Sequence, residues 1–309
     1  MKILIYGAGV LGSVLAVKLK NAGLDVSILA RGERYTFIKE NGIVLQDFWT
    51  NNRITTNISV VDELDDEDYY DLIIVIMPRN NISQILPILS KNKNSPNILF
   101  IGNNVSGFDE YTNSLDKERI LLGFWLGSGD RTDQVVYYSD SDDKGNKVKM
   151  YIGVYSGMLS ERVNNIKKII ESAGVPVDIS ENIDAWLKTH AMLISPMALG
   201  FYKHNENTNE LINSNNTLKL MSKSIKEGLK ALHRLNIPIL PKNLNIIRFL
   251  PVFLLTKKYK SMLKSKYFEI AMSHAKAGKG EMKYLSNECN KLIKKSKVNS
   301  PAFDALLND

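Results

Sequence analysis

Short apolar runs alternate with segments of helical spacing along the first half of the chain. The runs predict buried strands, because a strand covered on both faces of a parallel sheet is apolar throughout. The predicted strands cover residues 2–6, 25–29, 70–77, 97–101, 120–126, 135–138 and 148–154. The predicted helices cover residues 10–22, 35–40, 82–90, 108–115 and 161–173. This alternation predicts a doubly wound sheet built mainly from parallel strands.

From about residue 183 the pattern changes to one helix after another, without strand signals. Apolar residues at three and four spacing predict helices over 183–199, 217–235 and 262–295. A boundary near residue 180 divides the chain into two predicted domains, 1–180 and 181–309. The expected fold class is α/β, with an N-terminal Rossmann-type doubly wound parallel sheet followed by an all-helical C-terminal domain.

The composition is that of a globular protein, since 44% of the 309 residues are apolar and 24% are charged. The single cysteine, Cys289, excludes an internal disulfide and favours a reducing compartment. The longest apolar stretches, 191–201 and 246–255, are too short to span a bilayer. Residues 1–6 lead directly into a glycine turn, where a signal peptide needs a longer apolar stretch. We therefore expect a cytoplasmic protein with no membrane partner.

Charge is unevenly distributed along the chain, which has a formal net charge of +7. Residues 217–309 contain 19 Lys and Arg against 6 Asp and Glu, while residues 1–216 contain 21 against 27. A basic half can attract nucleic acid, an anionic membrane or a small anionic substrate. Lysines at helical spacing are more often a solvated face, and no nucleic-acid motif is present. We expect no nucleic-acid partner.

The segment between the first predicted strand and the first predicted helix has the pattern G-x-G-x-x-G. It consists of Gly7, Ala8, Gly9, Val10, Leu11 and Gly12. The first glycine permits a tight turn, the second lets a pyrophosphate approach the backbone, and the third lets helix and strand pack closely. The helix N-terminus adds free N–H groups and a partial positive charge. These six residues are predicted to bind a dinucleotide, and a glycine-rich turn without a ligand is the disfavoured alternative.

The end of the second predicted strand indicates which dinucleotide is bound. An NAD enzyme usually places Asp or Glu there to accept the ribose 2′-hydroxyl. This chain has Arg31 instead, with Arg34 close by. A guanidinium suits a 2′-phosphate through charge-assisted hydrogen bonds, so Arg31 favours NADP(H) over NAD(H). Alternatively, Arg31 is a solvated loop residue, and Glu33 lies close enough to weaken the preference.

Four further residues are candidates for chemistry. Lys188 lies early in the first helix of the predicted second domain, where a cleft between domains is expected. Glu281 shares one face of the last long predicted helix with His274. Asn103 and Asn104 follow a buried strand at the carboxyl end of the sheet, where ligands of such folds bind. The alternatives are a lysine extending into solvent, a glutamate paired with a nearby lysine, and a plain asparagine turn.

Together these segments resemble the ketopantoate reductase (2-dehydropantoate 2-reductase) family, in the family's order along nearly the whole chain. The segments that carry the resemblance are KILIYGAGVLGS at the start, LARGER at 29–34, GNNVSG at 102–107, AWLKTH at 185–190, SHAKAGKGEMKYL at 273–285 and SPAFDALL at 300–307. The resemblance implies NADPH-dependent reduction of a 2-oxo acid to a 2-hydroxy acid, as from ketopantoate to pantoate in pantothenate biosynthesis. It also implies an NADP-binding Rossmann domain, a helical domain and an active site in the cleft between them.

The resemblance further implies roles for individual residues. The family's catalytic lysine falls on Lys188 and its active-site glutamate on Glu281. Its asparagine falls on Asn104 in preference to Asn103, and either Ser273 or His274 takes the place of a polar substrate-binding residue. The expected partner is a small anionic 2-oxo acid, the expected cofactor is NADP(H), and no metal is expected. A homodimer stays open.

Some substrate-side positions depart from the family pattern. Asparagines expected after the catalytic lysine are replaced by Met192 and Ser195, and a lysine expected after strand 70–77 is replaced by Pro78, with Arg79 beside it. These changes leave the identity of the 2-oxo acid open. The alternatives are an NADPH reductase of a different 2-oxo acid or ketone, and a non-catalytic NADP-binding sensor.

Overall fold

The computed structural model describes residues 1–157 and 160–308, excepting the side chains of Ser273 and His274. The chain falls into two compact units. The first unit contains residues 1–102 and 108–183, and the second contains residues 103–107 and 184–309. The five-residue segment 103–107 therefore belongs to the second unit although its neighbours in sequence belong to the first.

The strands are β1 (Lys2–Tyr6), β2 (Asp25–Leu29), β3 (Ile43–Asp47), β4 (Arg53–Thr56), β5 (Ser59–Val61), β6 (Leu72–Ile76), β7 (Ile98–Ile101), β8 (Ile120–Trp125), β9 (Ser128–Thr132), β10 (Val135–Ser139), β11 (Met150–Val154) and β12 (Val177–Ile179). The helices are α1 (Val10–Asn21), α2 (Gly32–Asn41), α3 (Ile82–Lys91), α4 (Asp109–Thr112), α5 (Glu161–Ser172), α6 (Ile183–Lys203), α7 (Thr208–Asn213), α8 (Asn215–Arg234), α9 (Val252–Met262), α10 (Lys266–Ala277), α11 (Lys279–Lys295) and α12 (Pro301–Leu307). Short 3₁₀ helices cover Arg79–Asn81, Lys117–Arg119 and Lys242–Arg248.

The first unit is built on an eight-stranded sheet with the order β12-β11-β8-β7-β6-β1-β2-β5. All neighbouring strands are parallel except β8 and β11, which are antiparallel. Its central strands are apolar throughout because both faces are covered, and Ile3, Ile5 and Ile74 are fully buried. The chain order reverses between β1 and β6, where ligands of such sheets bind. The predicted doubly wound sheet is confirmed.

A second sheet in the first unit has the order β4-β3-β10-β9. The prediction that residues 135–138 belong to the main sheet is wrong, because β10 pairs with β3 and β9. The β9–β10 hairpin turns through Asp133 and Gln134, which have φ values of +48° and +68°. Turns of this kind usually contain glycine, and its absence removes the sequence signal that would have identified the hairpin.

In the described part of the second unit all regular secondary structure is helical, as predicted. The α8 residues Leu218, Met221, Ile225 and Leu229 are fully buried at three and four spacing. Each such side chain contributes about 1.5–3 kcal/mol on burial. No helix in the described part of the chain is both long and apolar enough to cross a membrane.

The predicted helix 262–295 is in fact three segments. Met262 ends α9, α10 ends at Ala277, and α11 begins after Gly278, which caps it. Glycine is a poor helix former, which favours a helix break at this position. Glu281 therefore lies in the first turn of α11, so the prediction that it shares one helix with His274 is wrong.

Candidate active site

The predicted glycine turn lies where the strand order of the main sheet reverses. A Cβ atom on Gly7, at φ +123°, would lie 2.3 Å from the carbonyl oxygen of Ile76 at the end of β6. A Cβ on Gly12 would lie 2.0 Å from the carbonyl oxygen of Gly7. Both positions therefore require glycine for the fold itself. A Cβ on Gly9 would have no neighbour within 4 Å, so the space beside Gly9 is open to a ligand.

Three arginines surround this turn. Arg31 is exposed at the N-terminus of α2 and donates through Nη2 to the hydroxyl oxygen of Tyr6, at 3.1 Å. Arg34 is buried and donates through Nε to the carbonyl oxygen of Ala8, at 3.3 Å. Burial, together with the neighbouring charge of Arg131, lowers the pKa of Arg34 to about 10. Arg131 donates to the same Ala8 oxygen at 3.4 Å, a role that the sequence analysis missed.

Lys188 is mostly buried, with 12% of its side chain exposed, and it does not extend freely into solvent. Its ammonium forms an ion pair with Asp184, one turn earlier on α6. A Cβ on Gly107, at φ +81°, would lie 2.7 Å from Oδ1 of Asp184 and 3.3 Å from Nζ of Lys188. The segment 103–107 therefore passes directly over this ion pair, which places a cation and a carboxylate together beside a glycine.

The segment 103–107 is held in shape by Asn104. The buried side chain of Asn104 donates to the carbonyl oxygen of Gly107 at 2.8 Å and accepts from its N–H at 3.0 Å. Asn103, the neighbour, donates through Nδ2 to Oε1 of Glu281 at 3.0 Å. Asn104 thus forms the plain turn that was the alternative interpretation, and Asn103 is the asparagine that contacts a candidate catalytic residue.

Glu281 does not pair with the nearby lysines. Lys279 lies 2.6 Å from Glu206, and Lys276 lies 4.0 Å from the same carboxylate. Burial, with the charges of Glu206 and Glu281, raises the pKa of Tyr202. Among the described residues, Glu281 therefore contacts Asn103 in the neighbourhood of the half-buried Tyr202, while Lys276 and Lys279 pair with Glu206.

The positions that depart from the family pattern lie in packed surroundings. Met192 is fully buried and lies against Gly228 of α8. Ser195 is also fully buried, with its Oγ 3.4 Å from Sγ of Cys289. Arg79 forms an ion pair with Glu110 in the first unit. Ser273 and His274, the predicted substrate-binding alternatives, have side chains outside the described part of the structure.

Comparison with known proteins agrees with the resemblance seen in the sequence. The family model described as "Ketopantoate reductase PanE/ApbA" matches residues 3–155. Residues 3–155 therefore form a domain of the ketopantoate reductase type. Ketopantoate reductases are oxidoreductases, and the match includes the glycine turn, Arg31, Asn103 and Asn104.

Curated ketopantoate reductases are distant relatives of this chain. The 2-dehydropantoate 2-reductase of Listeria monocytogenes is 26% identical over 179 residues, which are 58% of this chain and 58% of the relative. That of Pyrococcus abyssi is 25% identical over 238 residues, which are 74% of this chain and 73% of the relative. The match with the Listeria protein therefore spans less than two thirds of that relative.

Solved structures share the fold over the whole chain. A ternary structure of D-mandelate dehydrogenase with NADH and anilino(oxo)acetate has a TM-score of 0.80 at 19% identity, covering 100% of this chain and 96% of that one. The 2-dehydropantoate 2-reductase of Geobacter metallireducens has a TM-score of 0.80 at 16% identity, covering 100% of this chain and 99% of that one. These similarities establish the fold.

Proposed function

We propose that this chain catalyses the NADPH-dependent reduction of a small 2-oxo acid to a 2-hydroxy acid. The observation that carries the proposal is the segment 103–107, which contacts Glu281 through Asn103 and lies over Lys188 at Gly107. One short segment thus joins the cation and the carboxylate that the family resemblance assigns to the active site, and Asn103, not the preferred Asn104, contacts the carboxylate. The first unit serves as the NADP-binding domain expected for residues 1–180, and the second as the helical domain expected for 181–309.

The glycine turn fits a dinucleotide. Gly9 leaves space for a pyrophosphate to approach the backbone, and the N-terminus of α1 offers N–H groups to it. Arg31 is exposed at the end of β2, where a 2′-phosphate is recognised in folds of this kind. When bound, the reduced nicotinamide supplies a hydride to the carbonyl carbon of the substrate.

Lys188 is the general acid in this proposal. Negative charge grows on the carbonyl oxygen during reduction, and a nearby ammonium stabilises that charge and donates the proton that completes the hydroxyl. Asp184 holds the ammonium in position before the substrate arrives. Asn103 donates to Glu281, and in this proposal Glu281 accepts a hydrogen bond from the product hydroxyl.

A different 2-oxo acid from ketopantoate is the second candidate substrate. Met192 and Ser195 stand where the family pattern has asparagines, and both side chains are fully buried. They are therefore not available to hydrogen-bond a polar substrate. The similarity to a D-mandelate dehydrogenase structure supports testing aryl-substituted 2-oxo acids beside ketopantoate. That structure contains NADH, so cofactor preference is part of the same test.

The decisive experiment is a panel of 2-oxo acids, ketopantoate and phenylglyoxylate included, incubated with NADPH or NADH. Steady oxidation of NADPH with at least one acid is the expected result. Tight NADPH binding without consumption across the panel would instead favour the non-catalytic sensor. Cys289 is the only cysteine of the sequence and is buried, which is compatible with the cytoplasm as the proposed location.

A further inference from the structure

Three guanidinium groups lie together at the glycine turn. Those of Arg31, Arg34 and Arg131 all donate to atoms of residues 6–8, and the acceptors there are neutral oxygens. The carboxylate beside Arg131, that of Asp130, accepts from the backbone N–H of Arg131 and not from its guanidinium. Within the described residues, none of the three forms an ion pair. Burial and, to a smaller extent, the neighbouring charge of Arg131 lower the pKa of Arg34, and an anion bound beside these guanidinium groups would relieve their mutual repulsion.

One of the three arginines is buried and stabilises the fold, and the other two are exposed. Arg34 is buried and uses Nε, Nη1 and Nη2 to bond Ala8, Gln134 and Ser13. Arg31 and Arg131 are exposed, and each is tied to the turn by one hydrogen bond, to Tyr6 and Ala8 respectively. A guanidinium carries five N–H groups, so four remain on each exposed arginine to bind a ligand.

The position of Arg131 is determined by the small sheet. The β9–β10 hairpin pairs Arg131 with Val136, and its turn residue Gln134 accepts twice from Nη1 of Arg34, at 3.0 Å through its carbonyl oxygen and 3.0 Å through Oε1. At the other end of β9, a Cβ on Gly129 would lie 3.0 Å from Val10 of α1. One end of the hairpin thus contacts Arg34, which itself bonds Ala8, and the other end packs against the first residue of α1.

We propose that Arg131 is a specificity-determining residue that, together with Arg31, binds the 2′-phosphate of NADP(H). The inference rests on the proposed function and deepens it. Two forked cations anchored on residues 6 and 8, on either side of Gly7, can share the oxygens of one phosphomonoester through charge-assisted hydrogen bonds. The small sheet then contributes to the preference for NADP(H) over NAD(H), because it positions the guanidinium of Arg131.

The test measures dinucleotide binding by fluorescence titration, without any turnover. Wild type, Arg131→Ala, Arg131→Lys and Arg53→Ala are titrated with NADPH, NADH and adenosine 2′,5′-bisphosphate. Arg53 is the matched control, because it is an exposed arginine of the same sheet, on β4. Arg131→Ala is expected to weaken NADPH and bisphosphate binding by about 10-fold or more, since hydrogen bonds to charged groups are lost. NADH binding should stay unchanged.

Other results of the titration would contradict the proposed role of Arg131 or the proposed function. Equal loss of NADPH and NADH affinity in Arg131→Ala would overturn the proposal, because Arg131 would then act on the turn or the pyrophosphate. Unchanged NADPH affinity would overturn it as well. Arg131→Lys keeps the positive charge but not the two parallel N–H donors, so it should lose part of the NADPH affinity. This variant replaces Arg131→Ala in the test if the alanine variant does not fold. A wild type that binds no dinucleotide would refute the proposed function itself, whatever the variants do.

Discussion

The two units build their candidate sites in different ways. In the first unit the glycine turn is a continuous segment, and its conformation follows from contacts within β1, β6 and α1. In the second unit the candidate residues come from segments 103–107, α6 and α11, which lie far apart in the sequence. A site formed by one continuous segment can be recognised from its residue pattern. A site formed by distant segments cannot, because the fold determines which of several similar side chains meet.

The largest expected effect is on turnover in the second unit. Lys188→Ala should lower kcat about 10²–10⁴-fold, the usual contribution of a positioned acid, while NADPH affinity stays near that of wild type. Lys219→Ala is the matched control, since Lys219 is an exposed lysine of the same unit. The measurement is NADPH oxidation beside a binding titration. Near-normal kcat in the Lys188 variant would remove this residue from the mechanism.

In the glycine turn, one glycine is required for folding and another for cofactor binding, and substitutions should separate the two roles. Gly12→Ala should destabilise the first unit, because the new Cβ would lie 2.0 Å from the Gly7 carbonyl oxygen. A cost of about 1–3 kcal/mol is expected from such overpacking. Gly9→Ala meets nothing within 4 Å and should leave stability unchanged while weakening NADPH binding. Thermal unfolding and NADPH titration of both variants separate the two roles, and a Gly9 variant with full affinity would contradict this assignment.

Asn103 and Asn104 of the second unit should likewise differ, one affecting turnover and the other stability. Asn104→Ala removes the side chain that closes segment 103–107 and should cost about 1–3 kcal/mol of stability, because buried polar partners are left unpaired. Asn103→Ala should lower kcat about 10-fold, in the range of a lost hydrogen bond, with little change in unfolding. Denaturant unfolding and steady-state kinetics check both. The reverse pattern would return the active-site role to Asn104.

The smallest expected effect is a loss of folding stability at acidic pH. His190 stacks on Trp186 with ring centroids 5.2 Å apart, and burial lowers its pKa from 6.5 to about 4. The unfolded chain then binds a proton that the folded chain does not, so stability falls as the pH drops from about 6.5 toward 4. At about pH 5.5 the loss is on the order of 1 kcal/mol. His190→Gln should flatten this dependence in unfolding measurements; an unchanged slope would assign it to other groups.

The sequence predicted the main sheet and the glycine turn because their signals are local. Apolar runs identify buried strands, and the glycine turn is a continuous pattern in the sequence, although Gly7 is required by a contact with Ile76 of β6 and only Gly12 by a contact within the turn. The small sheet was not recognised, since Asp133 and Gln134 turn the hairpin without glycine. Arg131 lies more than a hundred residues from Ala8, and no local pattern indicates that the two meet.

The sequence was less informative about the second unit, for related reasons. Apolar spacing predicted a single helix through Gly278, because a helix break at one residue hardly changes the periodicity. Asn103 and Asn104 are adjacent and chemically identical, so only the fold distinguishes the one that contacts Glu281 from the one that holds the turn. Asp184 lies one helical turn before Lys188, and that spacing was a usable signal for an ion pair.

The central chemical step is hydride transfer from NADPH to a 2-oxo acid, with Lys188 supplying the proton. The measurement is the reaction of NADPH carrying deuterium at the transferable position with the 2-oxo acid panel, followed by mass spectrometry of the product. The account predicts a 2-hydroxy acid with deuterium on C2 from wild type and from Lys219→Ala, and almost none from Lys188→Ala, although all three bind NADPH. No deuterated product from wild type with any acid, or undiminished product from Lys188→Ala, would contradict it.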